Sequence, residues 1–474
     1  MRCAPRRLIV LVGIATDYSV RIIVFEAVRH KQLDYEALAL QAFGRKGFLA
    51  VLASMFLFAF GGLLTYTIIL ADDISVVAAV WSGQDSTPWV RRGVILVASV
   101  FVLLPLSLVR NMSSLARTSG VSLVAVATVV IVVLIRAGTS PPDAELPAPG
   151  SDDEVLALFA PRFFPALGAI CFAFVCHHSS MVVFNSLKPK HTNQRTWACV
   201  THTSIATAVS SCVILSVAGY ATFGGLTDAN LLNNYAAGDQ LVNVTRVVFA
   251  LTMLLTYPME MFVARHCVLA ILNHMGNSPQ ASLKAGEGGS PHNHTPVAVP
   301  VSSTAASPAA RGSSTAAAPS SSAGVVIAPP ALPSGSHSEA EQSALTSPAA
   351  SSAGATAPTT PARSVSTGGR VPWRTHAGIT VGLWAVAMGI SLVVEDLGLV
   401  LELTGGVSAT ILGFVMPGLL QLKLTTFNLV PWRNSAATQC AAWKHLLPAY
   451  ALVVAGMVAF VVSTVTTVHS AAAG

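Results

Sequence analysis

An all-α, multi-pass membrane protein is what this sequence predicts, and three observations predict it. Charged residues make up only 10% of the 474-residue chain, against about 25% in soluble domains, while hydrophobic residues reach 53%. The mean hydropathy is +0.64. The 27 Lys and Arg and the 21 Asp and Glu stand in short clusters between apolar runs, each able to cross ~30 Å of hydrocarbon at about 1.5 Å per residue.

Ten such runs follow one another, at about 7–28, 48–71, 93–109, 119–136, 164–185, 197–222, 241–272, 376–394, 397–421 and 444–466. Span one carries Asp17 and Arg21 one turn apart, on one face, where they neutralise each other as a structural pair. Span two ends at Asp72 and Asp73, which read as hydrated caps, as do Glu395 and Asp396 before span nine. Span five opens on Phe163-Phe164-Pro165 and centres on FAFVCHHSS, residues 172–180. Span seven reads ALTMLLTYPMEMFVARH over residues 250–266, and span nine holds Glu402 before Gly405 and Gly406.

Residues 274–372 interrupt the series after span seven. This block has no aromatic residue, no cysteine and seven charges in 99 positions, so it cannot bury a core and is expected to be a disordered linker. The chain thus divides into 1–273, a bundle of seven spans; 274–372, the Ala/Ser/Thr/Pro-rich linker; and 373–474, the last three spans. Six Ser-Pro or Thr-Pro pairs in the linker, at Ser278, Ser290, Thr295, Ser307, Ser347 and Thr360, leave open an inert connection and kinase regulation.

Lys and Arg collect in cytoplasmic loops, and eighteen of the 27 fall in the loops after the odd-numbered spans. That places the linker in the cytoplasm and the amino terminus outside. Arg2, Arg6 and Arg7 contradict the latter, because a basic cluster before a first span ordinarily stays inside. No small-residue cleavage site follows span one to make it a signal peptide.

Several classes drop out. No basic stripe interleaved with aromatics supports nucleic-acid binding. No nucleophile motif, phosphate loop or zinc spacing supports an enzyme, and no cofactor is expected. The seven cysteines sit mostly in apolar runs and read as small buried hydrophobes. The triplets at Asn111, Asn243 and Asn293 fall on the cytoplasmic side or at the membrane edge, where no glycan is expected.

A transporter that binds a polar solute in mid-membrane needs backbone groups released from helical pairing, and broken helices provide them. In span five, His177, His178, Ser179 and Ser180 in apolar surroundings point to a cavity; the alternative is a set of interhelical hydrogen bonds. In span seven, Pro258 removes the donor for the carbonyl one turn earlier, and Thr256 sets a hydroxyl beside it, a combination that suits a small hard cation. Its alternative is a proline kink with Thr256 bonded to its own helix. Glu260 and Arg265, nearer the cytoplasmic end, pair with other residues or snorkel.

The segments AICFAFVCHHSSMVVFNSL (169–187), GYATFGGLTDANLLNNY (219–235) and LTYPMEMFVARH (255–266) resemble the amino acid/auxin permease family, in particular its sodium-coupled neutral amino-acid transporters and fungal vacuolar relatives. LPLSLVRNMSSL (104–115), TYTIILADDIS (65–75) and EDLGLVLELTGG (395–406) resemble it too. The resemblance implies a LeuT-type bundle of two inverted five-helix repeats plus an eleventh helix, with the first and sixth helices broken. Span five then corresponds to helix six and span seven to helix eight. Phe172, Ala173, Phe174, Cys176, His177 and Tyr257 become the substrate-facing residues, and Thr256 the cation ligand. The implied function is secondary active transport of L-amino acids, neutral ones in first place, by alternating access with sodium or protons as coupling ion. A non-transporting amino-acid sensor signalling through the linker is the alternative. The membrane is the plasma membrane or that of a vacuole or lysosome. Span one, with TDYSV at 16–20, resembles the family's helix two, so the family's first helix has no counterpart in the sequence as written, which implies a missing upstream segment or an inactive variant.

Overall fold

A computed structural model of the chain describes residues 4–83, 87–109, 118–139, 163–276, 372–429 and 436–473. The six Ser-Pro and Thr-Pro pairs lie outside them, so the linker expectation does too for residues 277–371. The described residues form helices with no strand among them, in one compact unit.

In chain order these are α1 (Ala4–Arg29), α2 (Tyr35–Ser82), α3 (Pro88–Leu108), α4 (Thr118–Thr139), α5 (Phe163–Phe174), α6 (His177–Ser186), α7 (Gln194–Phe223), α8 (Gln240–Gly276) and α9 (Trp373–Ser391). Next comes α10, which starts as Leu397–Thr404, loosens into two π-helical segments, Gly405–Ala409 and Ile411–Val415, and ends as Met416–Leu429. The last is α11 (Ala436–Ala473).

Among the described residues, nine helical runs are long and apolar enough to cross a membrane, α5 and α6 together making one, so the chain is a multi-pass membrane protein. The tenth expected span, 376–394, is helical as α9, but Arg374 and His376 in its first turn keep its mean hydropathy below that of the others. The helix α2 outruns its expected end at residue 71 and carries Asp72 and Asp73 within it. Its start is offset at Gly44, where φ is +64°, a region open to glycine because it has no Cβ. That offset turns Tyr35 inward, and its hydroxyl donates to the Leu412 carbonyl at 2.9 Å.

Of three apolar clusters among the described residues, the two larger fill the middle of the bundle. One joins α1, the first half of α2, α5 and α10 through Val24, Leu52, Phe58, Phe174 and Leu412. The other joins the second half of α2 to α8 and α9 through Leu63, Ile68, Tyr257, Met261 and Ala387. Lipid is as apolar as leucine, so burial alone does not hold such helices together; close backbone approach and polar contacts do. Gly168 of α5 and Gly405 of α10 make the tightest approach: a Cβ on Gly405 would overlap the Gly168 carbonyl, and one on Gly168 would lie 2.6 Å from the Glu402 carbonyl oxygen. The first π-helical segment begins at this crossing.

Candidate functional site

The helix of span five breaks at Val175 and Cys176, inside the polar-centred segment 172–180. The last bond of the α5 ladder runs from the Val175 N–H to the Cys171 carbonyl, and the next turn starts where the Ser179 N–H meets the Cys176 carbonyl, both at 3.2 Å. Cys176 itself has φ −124° and ψ 13°, outside the helical region. Terminal carbonyls of α5 and the first N–H groups of α6 thus leave the helical pairing in the interior of the bundle.

Neither glycine nor proline sits at the break; Pro165 is in the first turn of α5, where its missing N–H costs nothing. The two halves are instead held by different neighbours. Gly168 fixes α5 against α10, and His177 fixes the start of α6 against α1, its Nε2 lying 2.7 Å from the Ser19 hydroxyl. The Ser19 hydroxyl also lies 3.0 Å from the Thr16 carbonyl, which ties this contact to the α1 backbone.

The substrate-facing residues expected from the sequence divide accordingly. Phe172 packs its ring 5.0 Å from that of Phe58 on α2. Phe174 and His177 are buried, Cys176 is half-buried and Ala173 is exposed. His177 faces α1, and among the described residues its Nδ1 has no hydrogen-bond partner. Tyr257 is buried on the α2 side of α8, its hydroxyl hydrogen-bonded with Thr67. What joins the break to α8 is His178, one of the polar cluster read from span five and, with His177, a candidate for proton coupling: its Nε2 lies 3.7 Å from Glu260 Oε1, with Phe58 5.1 Å from the imidazole ring.

Several expectations are corrected. Span seven is not interrupted: α8 runs unbroken through Pro258. Thr256, half-buried, donates to the Thr252 carbonyl at 2.6 Å, the local bond that accompanies many intramembrane prolines. Its hydroxyl lone pairs and the Leu254 carbonyl, which Pro258 deprives of a donor, are what remain for a cation. Of the two readings open for Glu260 and Arg265, pairing with other residues holds and snorkelling does not. Arg265 is buried and donates to the Ser107 carbonyl at 3.2 Å and the Thr380 hydroxyl at 2.9 Å. Asp73 is no hydrated cap either, being fully buried and accepting from Asn230 at 3.2 Å. Asp17 and Arg21 do pair, at 3.1 Å, and His202 of α7 joins them at 3.1 Å. Cys199 is exposed, unlike the buried Cys171 and Cys267.

At the end expected to face outward, Arg246 is buried and draws the 231–235 turn onto α8, donating to the carbonyls of Leu232 at 2.8 Å and Tyr235 at 3.1 Å. Asp239 accepts the N–H groups of Leu241 and Val242 at the start of α8 and pairs with Arg136 at 2.6 Å. Partial burial pushes the Asp239 carboxyl up, but the Arg136 hydrogen bond, the two backbone donors and the guanidinium charge outweigh it and hold the group below its usual range. A cavity of about 430 Å³ opens beside this region, lined by Asp72, Arg91, Asp228, Glu395 and Asp396, with Arg91 2.9 Å from Asp72. A second, of about 400 Å³, lies between α1 and α7 around Asp17 and His202. Neither reaches the break.

Comparison with known proteins gives this geometry a context. The family model described as "Transmembrane amino acid transporter protein" matches residues 7–468. The chain is similar to the "Putative sodium-coupled neutral amino acid transporter 11" of Mus musculus, 32% identical over 263 residues, which are 55% of this chain and 56% of that protein. It is also similar to the "Vacuolar amino acid transporter 2" of Saccharomyces cerevisiae, 33% identical over 269 residues, 56% of this chain and 55% of the yeast protein. The chain spans little more than half the length of these curated relatives.

Proposed function

Because the chain belongs to the transmembrane amino acid transporter family, its model matching residues 7–468, we propose that it is a secondary active transporter carrying neutral L-amino acids across a membrane. The observation that carries the proposal is the break at Val175 and Cys176. In hydrocarbon an unpaired peptide group is expensive, so irregular backbone persists only where protein or a polar occupant satisfies it. The ammonium and carboxylate of an amino acid are suited to free carbonyls and N–H groups respectively.

On this proposal the substrate lies along Phe172 to His177, with Phe58 of α2 closing one side and Tyr257 of α8 a further wall. Alternating access moves α5 and α6 against α2 and α8, within a LeuT-type repeat architecture. The coupling ion is sodium, with Thr256 as a ligand, or a proton. The curated relatives are named for amino-acid transport, among them sodium-coupled and vacuolar proteins, which supports transport over sensing and leaves both membranes open. No kinase role for the linker enters the proposal.

Uptake of a panel of radiolabelled L-amino acids into proteoliposomes holding the full chain tests it. Accumulation of at least one neutral amino acid under a sodium or pH gradient is expected. Absence of both accumulation and exchange for every member of the panel would falsify transport.

A further inference from the structure

Among the described residues, the bundle interior holds an acid that substrate binding leaves unused. Glu260 stands on α8 two residues past Pro258, its side chain 12% exposed. Oε1 is 3.7 Å from His178 Nε2, just beyond a hydrogen bond, and Oε2 has no hydrogen-bond partner among the described residues. His178 matches it: its side chain is 9% exposed and its Nδ1 also lacks a partner among the described residues. Gly62 lets α2 approach this point, since a Cβ there would meet Glu260 Cγ at 3.2 Å.

Among the described residues, His178 of α6 pairs with Glu260 and Tyr66 of α2 lies within reach of its charge. His177, beside His178, is turned to Ser19; on α8 itself, Tyr257 is hydrogen-bonded with Thr67, and Arg265 is held by Ser107 and Thr380. A bare carboxylate in such a place is costly, and a proton bound between it and the imidazole removes most of that cost. At 3.7 Å a small side-chain rotation closes the hydrogen bond, as a carboxylic acid donating to imidazole or as imidazolium donating to carboxylate. The pair also spans a mechanical joint, because His178 lies in the first turn of the half-helix that starts at the break, while Glu260 belongs to the unbroken α8.

We propose that Glu260, together with His178, is the site that carries the coupling proton, an assignment that rests on the transport function above and adds the ion and its seat. One proton joins the Glu260 carboxylate when the interior opens to one side and leaves it when the interior opens to the other. Protonated, the pair draws α6 onto α8 through a charge-assisted or acid–imidazole bond; deprotonated, only a neutral imidazole N–H is left to meet the carboxylate, and the weaker bridge loosens the half-helix.

The test uses the full chain in proteoliposomes loaded with a pH-sensitive dye, with the neutral amino acid the parent exchanges fastest as probe. Label exchange is followed beside amino-acid-induced proton movement. The parent should show both. Glu260→Gln should lose proton movement while whatever exchange it keeps becomes indifferent to pH. If Glu260→Gln is silent in both assays, Glu260→Asp, which retains a carboxyl, should restore both with a displaced pH profile. Proton movement in Glu260→Gln equal to the parent's overturns the assignment. So does exchange without proton movement in the parent, or silence in Glu260→Asp as well. A parent without exchange would instead strike the transport function itself, and is distinguishable on that ground.

Discussion

Span five and α8 are both apolar rods that meet at His178 and Glu260, yet the one without a proline at its centre breaks and the one with a proline does not. In α8 the loss at Pro258 is local: one N–H is missing, one carbonyl is freed, and Thr256 bonds back to its own helix. In span five the chain is held from two sides, by Gly405 against α5 and Ser19 against α6, and yields between them. A helix in a membrane breaks where its neighbours hold it apart, and local propensity is the weaker term.

The largest effect should come from attacking that hold. Gly405→Ala drives a methyl into the Gly168 carbonyl, backbone against backbone, and should cost at least the ~1–3 kcal/mol typical of overpacking. Gly382→Ala, where nothing lies within 4 Å, is the control. A lowered thermal midpoint and lost uptake in the first variant only are expected. Equal midpoints would mean that the crossing does not hold the break.

On the other rod the effects should be smaller. Pro258→Ala restores one donor to a helix that is already continuous and should change stability by about the 0.5–1.5 kcal/mol of a single hydrogen bond. Thr256→Ala removes one hydrogen bond of about 0.5–1.5 kcal/mol, and under proton coupling it should leave the pH dependence of uptake unchanged. Weaker sodium dependence in Thr256→Ala would return the cation to α8 and make that rod the coupling element.

The smallest effect belongs to the anchor at the start of α8. The folded Asp239 carboxyl is held below its usual range, so its contribution is complete above the ordinary carboxylate range and is lost as pH falls through the folded value. As a partly solvated ion pair it should contribute ~0–1 kcal/mol. The difference in thermal midpoint between parent and Asp239→Asn should therefore shrink on acidification; a difference that grows would reverse the sign.

Much of the fold was legible in the sequence because bilayer thickness imposes one length on every span, and apolar runs of that length are visible without knowing their neighbours. Span five was legible as the candidate for a break too, from the polar side chains that crowd an apolar run there and from the family resemblance that makes it the broken sixth helix. Glu260 was not: an acid near the end of a span reads as one that reaches for the surface, and the turn of α8 that points it at His178 is invisible in one dimension. Pro258 misled for a related reason, since proline marks where a ladder loses one bond and says nothing of whether the remaining bonds hold.

By itself, then, the sequence determined that this chain crosses a membrane many times as helices and which of those helices has a polar centre, because composition and length decide what hydrocarbon will accept. Only the tertiary structure decided that one rod breaks and the other stays whole, that Asp73 and Arg246 are buried, and that Glu260 faces an imidazole. Those outcomes depend on contacts between residues far apart in the chain, such as Gly168 with Gly405 and Ser19 with His177, and no local pattern records such distances.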